Sequence, residues 1–77
     1  MSVLPSARQK RLATRAHKAL EQGGKVFVVF YGSESLERVT ETKYRLGAVY
    51  FRTEKHPTGW IGSQHLETIF IDPDVGN

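Results

Sequence analysis

Residues 25–31, Lys-Val-Phe-Val-Val-Phe-Tyr, decide the fold of this chain. Every residue after the lysine is β-branched or aromatic, which is the composition of a β-strand. Both alternating sets of side chains are apolar, and strands of this kind usually lie inside a sheet with both faces covered. The stretch therefore predicts a central strand, and Val28 in its middle is expected to be among the most buried residues.

The sequence before this strand predicts one amphipathic helix. Ser6 can serve as the N-cap, and Gln9 three residues later completes the pattern of a capping box. Gly23 and Gly24 favour the end of the helix, because glycine accepts the left-handed conformation found there. At about 100° per residue the apolar side chains fall on one narrow arc, which allows close packing on a sheet. The arc consists of Leu12, Ala13, Ala16, Ala19 and Leu20.

Residues 36–46 have a mixed pattern that leaves two interpretations open. Leu36 and Val39 repeat at a helical interval, whereas Thr40 and the residues after it alternate as in a strand. A polar edge strand is the favoured interpretation, with a helix as the alternative. Charged side chains along such an edge would discourage pairing with a second sheet.

The remaining sequence predicts two further strands, residues 48–53 and 66–71, and a short return strand beginning at residues 60–61. The connections are too short for parallel crossovers. We therefore expect an α+β fold in which one N-terminal helix packs on a three- to four-stranded, mostly antiparallel sheet. Residues 1–77 should form one small domain, with a loose lead-in at residues 1–5 and a loose tail at residues 73–77.

The sheet face away from the helix is a second feature of this fold. One helix covers one face of a sheet, yet residues 25–31 and 66–71 are apolar on both. Strong curvature, a partner or a second copy of the chain should cover the rest. A two-fold homodimer through this face is one expected form of the protein.

Composition excludes several functional classes. A chain of 77 residues without cysteine is too small for a two-domain enzyme and has no thiolate metal site or disulfide. Its three histidines lack metal-ligand spacing, and no serine lies in a nucleophile-elbow pattern. We expect no catalytic residues, no metal, no cofactor and no small-molecule substrate. The absence of a long apolar run predicts no membrane partner, and the lack of a secretory signal favours the cytoplasm.

Positive charge is concentrated at the start of the chain. The first 25 residues hold six basic residues and one acidic residue, whereas residues 26–77 hold five basic and seven acidic residues. Four of the cations would form a stripe on the helix, and we call it the helix stripe: Arg8, Arg11, Arg15 and Lys18. Like charges at this spacing repel each other, and a phosphate backbone or an acidic protein surface would offset that repulsion. An ordinary solvated helix face is the alternative.

A second group of residues mixes aromatic rings with cations in the predicted sheet. Its members are Lys43, Arg45, Tyr50, Arg52 and Trp60. Proteins that bind single-stranded nucleic acid stack bases on such rings and hold the backbone with such cations. Protein interfaces use the same residue types, and Trp60 could also belong to the core, as we expect of Phe51. Strand alternation predicts that Tyr50 and Arg52 are more exposed than Phe51.

The sequence thus predicts a small binding protein without enzymatic activity. Its expected partner is nucleic acid or an acidic nucleoprotein surface, bound through the helix stripe and the aromatic-basic strands. The alternative is an inhibitor or adaptor that binds a host macromolecular complex. Small accessory proteins of phages and other mobile elements have this chain length and this order of one helix followed by strands. The similarity is one of size and layout, and no sequence motif supports it.

Overall fold

The computed structural model describes residues 4–72 as one helix and five strands. The elements are α1 (Ala7–Glu21), β1 (Lys25–Phe30), β2 (Glu37–Arg45), β3 (Ala48–Thr53), β4 (Ile61–Gly62), a 3-10 turn (Ser63–His65) and β5 (Leu66–Asp72). The α+β class and the N-terminal helix are confirmed, but the expected three or four strands were too few. Residues 1–3 of the predicted lead-in and the whole predicted tail lie outside the described residues.

The strands form one antiparallel sheet in the order β4-β3-β2-β1-β5. Residues 36–46 do form a strand, β2, which lies between β3 and β1 in the strand order and not at the predicted edge, although only its first two residues pair with β1. β2 pairs with β3 on one side and, through Arg38 opposite Phe27, with β1 on the other. Its alternating polarity reflects a sheet face that the helix does not cover. The outer strands of the sheet are β4 and β5, but residues 39–45 of β2 pair with β3 alone, so the charges of Glu41, Lys43 and Arg45 do lie along an unpaired stretch of strand.

The capping box predicted from Ser6 and Gln9 is confirmed. The Gln9 amide N–H donates to Ser6 Oγ at 3.1 Å, and the Ser6 amide N–H donates to Gln9 Oε1 at 2.8 Å. Gln9 Nε2 also donates to the carbonyl oxygens of Gln64 and Leu66, both at 3.0 Å. One side chain therefore caps α1 and ties its first turn to the beginning of β5. At the other end, Gly23 has the positive φ of 87° that the predicted helix end requires.

The core lies between α1 and one face of the sheet. Ala13 and Ala16 of the helix are buried against alternate residues of β1, and Val28 is 0% exposed as predicted. Phe51 of β3 belongs to the same cluster and packs with its ring centroid 6.3 Å from that of Phe30. The small alanine side chains let the helix lie close to the sheet. A few large side chains are therefore enough to fill the space between them.

The buried carboxylate of Glu37 binds two residues at the end of β3 and in the loop that follows it. Glu37 is almost fully buried, and its Oε1 accepts a hydrogen bond from Thr53 Oγ1 at 2.7 Å. His56 Nδ1 lies 3.0 Å from the same oxygen. Buried polar groups need such partners, because an unpaired one costs the free energy of its lost hydration. The contacts of Glu37 with Thr53 and His56 therefore fix the position of the loop that leads to Trp60.

The sheet face away from α1 is not covered by any described residue. Phe27 and Val29 of β1 are only half-buried, and Phe70 of β5 is 53% exposed. The expectation that both faces of residues 25–31 are covered is therefore not met within one chain. No helix in residues 4–72 is long and apolar enough to cross a membrane.

Candidate nucleic-acid interface

The uncovered sheet face, here called the open face, carries two different surfaces. Phe51 points into the core, so alternation places its neighbours Tyr50 and Arg52 on the open face, and both are more exposed than Phe51, as predicted. The cross-strand partner of Tyr50 is Lys43. Five predicted site residues meet here and form what we call the basic half: Lys43, Arg45, Tyr50, Arg52 and Trp60.

Cation–π contacts hold the basic half together. Lys43 Nζ lies 4.4 Å from the ring centroid of Trp60 and 5.9 Å from that of Tyr50. The guanidinium carbon of Arg52 lies 4.1 Å from the Trp60 ring. A cation within about 6 Å of a ring centroid is attracted by the ring's electron-rich face. Trp60 therefore lies on the surface between two cations, and it is not a core residue.

Arg52 is held in this position from the side of β2. Its Nη1 donates to Glu41 Oε2 at 3.0 Å, although the two residues are on different strands. Its Nε is buried and has no hydrogen-bond partner among residues 4–72. An unsatisfied buried donor is uncommon in folded proteins. The position of the guanidinium therefore depends on its contact with the Trp60 ring and on its ion pair with Glu41. It does not depend on hydrogen bonds from all of its N–H groups.

The turn between β2 and β3 extends the basic half with an apolar side chain. Leu46 and Gly47 have φ angles of 52° and 81°, as in the two-residue turn that joins tightly twisted hairpins. Leu46 is 93% exposed and lines a hollow of about 290 Å³ together with four residues of the basic half. A leucine is unusual in this conformation, which normally belongs to glycine or asparagine.

The short strand β4 leaves space beside Tyr50, and a side chain from the next turn fills it. Gly62 is the cross-strand partner of Tyr50. A Cβ atom at Gly62 would lie 2.1 Å from Oε1 of Gln64, so the Gln64 amide occupies the place where a side chain of residue 62 would stand. A polar amide therefore lies at the border of the basic half.

The rest of the open face, here called the apolar half, is formed by β1 and β5. Phe27 is the cross-strand partner of Phe70, and Val29 is that of Thr68. Arg38 of β2 borders this half opposite Phe27. The expected dimer would use this surface, and it remains a prediction.

The helix stripe does not join the basic half. Arg8, Arg11, Arg15 and Lys18 are all exposed on α1, which packs on the opposite face of the sheet. At 100° per residue the centre of the stripe is roughly 120° away from the buried arc of the helix. The nine predicted site residues therefore form two surfaces on opposite sides of the molecule.

Several contributors to the basic half were missed in the sequence. Glu41 looks like one more charge on a polar strand, and only the bulge between Val39 and Glu41 sets its position beside Arg52. The exposed position of Leu46 could have been predicted from the sequence. Leu46 precedes Gly47 between two predicted strands, and a two-residue loop between strands requires positive φ angles. The position of Gln64 carried no signal, since it depends on the 3-10 turn that follows β4.

Comparison of the chain with protein-family models, curated proteins and solved structures gave no significant match. Among residues 4–72, no three His, Asp or Glu side chains are grouped so that they could hold a metal ion. The function of the chain must therefore be inferred from its own residues.

Proposed function

We propose that the protein binds single-stranded nucleic acid through the basic half of the open face. One observation carries the proposal: two aromatic rings and three cations from separate parts of the chain meet on the sheet face that α1 leaves uncovered. Sheets that bind single strands use this combination, because the rings stack on bases while the cations bind the phosphates.

The arrangement suits a single strand better than a duplex. The faces of bases are accessible to Tyr50 and to the Arg52–Trp60 pair only when the bases are unstacked from each other. A duplex would offer this surface its phosphates and leave both rings without a partner.

The side chains of the basic half have distinct roles in this proposal. Tyr50 offers a ring to one base, and the Arg52 guanidinium, whose carbon lies 4.1 Å from the Trp60 ring centroid, offers a platform to a second. Lys43 and Arg45 on β2 bind phosphates. Glu41 keeps Arg52 in place through its ion pair. Binding would involve no covalent chemistry.

A protein partner is the other candidate for this surface. Tryptophan, tyrosine and arginine are also the residues that dominate protein-interface energetics. The two candidates differ in salt dependence. For a single strand, the slope of log K against log salt is about −0.7 for each phosphate contact, whereas an aromatic protein contact has little such dependence.

The experiment compares two exposed tyrosines by fluorescence anisotropy with a labelled pyrimidine oligonucleotide. Tyr50→Ala should weaken binding about fivefold to 100-fold, because base–aromatic stacking contributes about 1–3 kcal/mol. Tyr44→Ala is the matched control, since Tyr44 is 64% exposed and lies on the helix side of β2. Lys43→Gln should also make the salt slope shallower by about 0.7.

Two results would contradict the proposal. One is the absence of binding to the wild-type protein at low salt. The other is an equal loss of affinity in the Tyr44 and Tyr50 variants.

A further inference from the structure

The outer surface of α1 is the most strongly charged region of the described chain. Five cations lie within 11 residues and all are exposed: Arg8, Lys10, Arg11, Arg15 and Lys18. None of the five is in an ion pair within residues 4–72. The helix contains one acidic residue, Glu21, and its carboxylate lies 3.4 Å from His17.

This charge is unfavourable for the helix itself. The first turn of α1 has no acidic residue and contains Arg8, although the positive end of a helix dipole favours acidic side chains there. Arg11 and Arg15 are four residues apart, a spacing at which like charges repel. The sequence therefore maintains an arrangement that folding alone does not favour, and a bound polyanion would relieve it.

The chemistry of the stripe indicates phosphates and not bases or apolar side chains. No tryptophan, tyrosine or phenylalanine lies in α1, and its one ring, that of His17, is engaged with Thr42 and Glu21. The helix also lacks the aromatic anchors typical of a protein interface. Its four cations span about 15 Å along the axis at a rise of about 1.5 Å per residue, which matches a backbone contact.

We infer that the helix stripe binds a second nucleic-acid segment by its backbone, so that one protein molecule joins a duplex to a single strand. The inference rests on the proposed function of the open face. Because α1 and the open face lie on opposite sides of the sheet, a segment stacked in the basic half leaves the helix stripe free for a second one. A duplex fits the stripe, since phosphate contacts require no access to bases.

The test measures whether the protein carries a labelled blunt-ended duplex onto beads that bear a single-stranded pyrimidine oligonucleotide. The wild-type protein should retain the duplex, and beads without protein should not. Arg15→Glu should lower duplex retention severalfold while leaving single-strand affinity, measured by anisotropy, nearly unchanged. The substitution should not weaken α1, because a glutamate there gains favourable spacing to Arg11 and Lys18.

Lys55→Glu is the matched control, since it makes the same change in net charge. Lys55 lies in the loop after β3 and bonds to Ser35 Oγ, outside both surfaces. Equal retention by Arg15→Glu and wild type would overturn the inference. So would wild-type protein that binds the single strand but retains no duplex. Failure of the wild type to bind the single strand would instead remove the proposed function.

Discussion

Replacing Leu46 with asparagine should stabilise the fold and weaken binding at the same time. Leu46 has a φ of 52° and is 93% exposed, so its side chain contributes almost nothing to the core. The left-handed conformation costs an ordinary residue about 1–2 kcal/mol, and asparagine tolerates it better. We expect a gain of about 0.5–1 kcal/mol, which corresponds to a rise of about 2–8 °C in Tm for a domain of this size.

The same substitution removes the apolar wall of the hollow beside Tyr50 and Trp60. If a bound base buries about 30 Å² of Leu46, the loss is about 0.75 kcal/mol, or roughly threefold in affinity. Thermal unfolding followed by circular dichroism gives Tm, and anisotropy gives affinity. Leu46→Ala is the control: it should lose the same affinity without the gain in Tm, because alanine relieves no strain. A Tm below wild type for Leu46→Asn would refute the analysis of the turn, and unchanged affinity would remove Leu46 from the interface.

Three further predictions concern the fold and its assembly. Val28→Ala should lower the free energy of unfolding by about 1–3 kcal/mol, because Val28 is fully buried; chemical denaturation measures this, and a wild-type midpoint would contradict its place in the core. Gly62→Ala should leave Tm close to wild type, because Gly62 has a φ of −73° and the new Cβ meets only the end of the flexible Gln64 side chain; a fall of several degrees would show that the Gln64 amide is held in place. Light scattering at micromolar concentration should detect a dimer that Phe70→Lys converts to monomer; a wild-type monomer would refute association through the apolar half.

The helix and the strands were predictable because local chemistry specifies them. Ser6 and Gln9 mark the beginning of α1 by a capping box that does not depend on the rest of the chain. The apolar run at residues 25–31 likewise predicts a strand wherever it lies, although the strand in the structure ends at Phe30 and Tyr31 belongs to the turn.

The order of the strands was not predictable from the same local signals. A polar strand can lie at an edge or inside a sheet with one uncovered face, and β2 combines the two: Glu37 and Arg38 pair with β1, whereas residues 39–45 pair with β3 alone. β5 pairs with one side of β1, which leaves the other side of β1 to β2 and places β2 inside the strand order. β4 has two residues, so its pattern is too short to separate a strand from a loop.

The candidate site was predictable in its residue types and not in its division into two surfaces. Lys43, Tyr50 and Trp60 form one cluster because alternation and strand pairing bring them to one face. Arg11 and Arg15 lie on the far side because α1 packs on the other face, and no local signal in the sequence reveals which face a helix will cover.

The central claim is that a base stacks in the basic half, and Trp60, the one tryptophan of the chain, reports on it directly. Its fluorescence should be strongly quenched, and saturably so, when the wild-type protein is titrated with a single-stranded pyrimidine oligonucleotide. A duplex of equal phosphate concentration should leave the emission nearly unchanged, since it exposes no base faces. Equal quenching by both forms, or none by the single strand while anisotropy shows it bound, would contradict the claim.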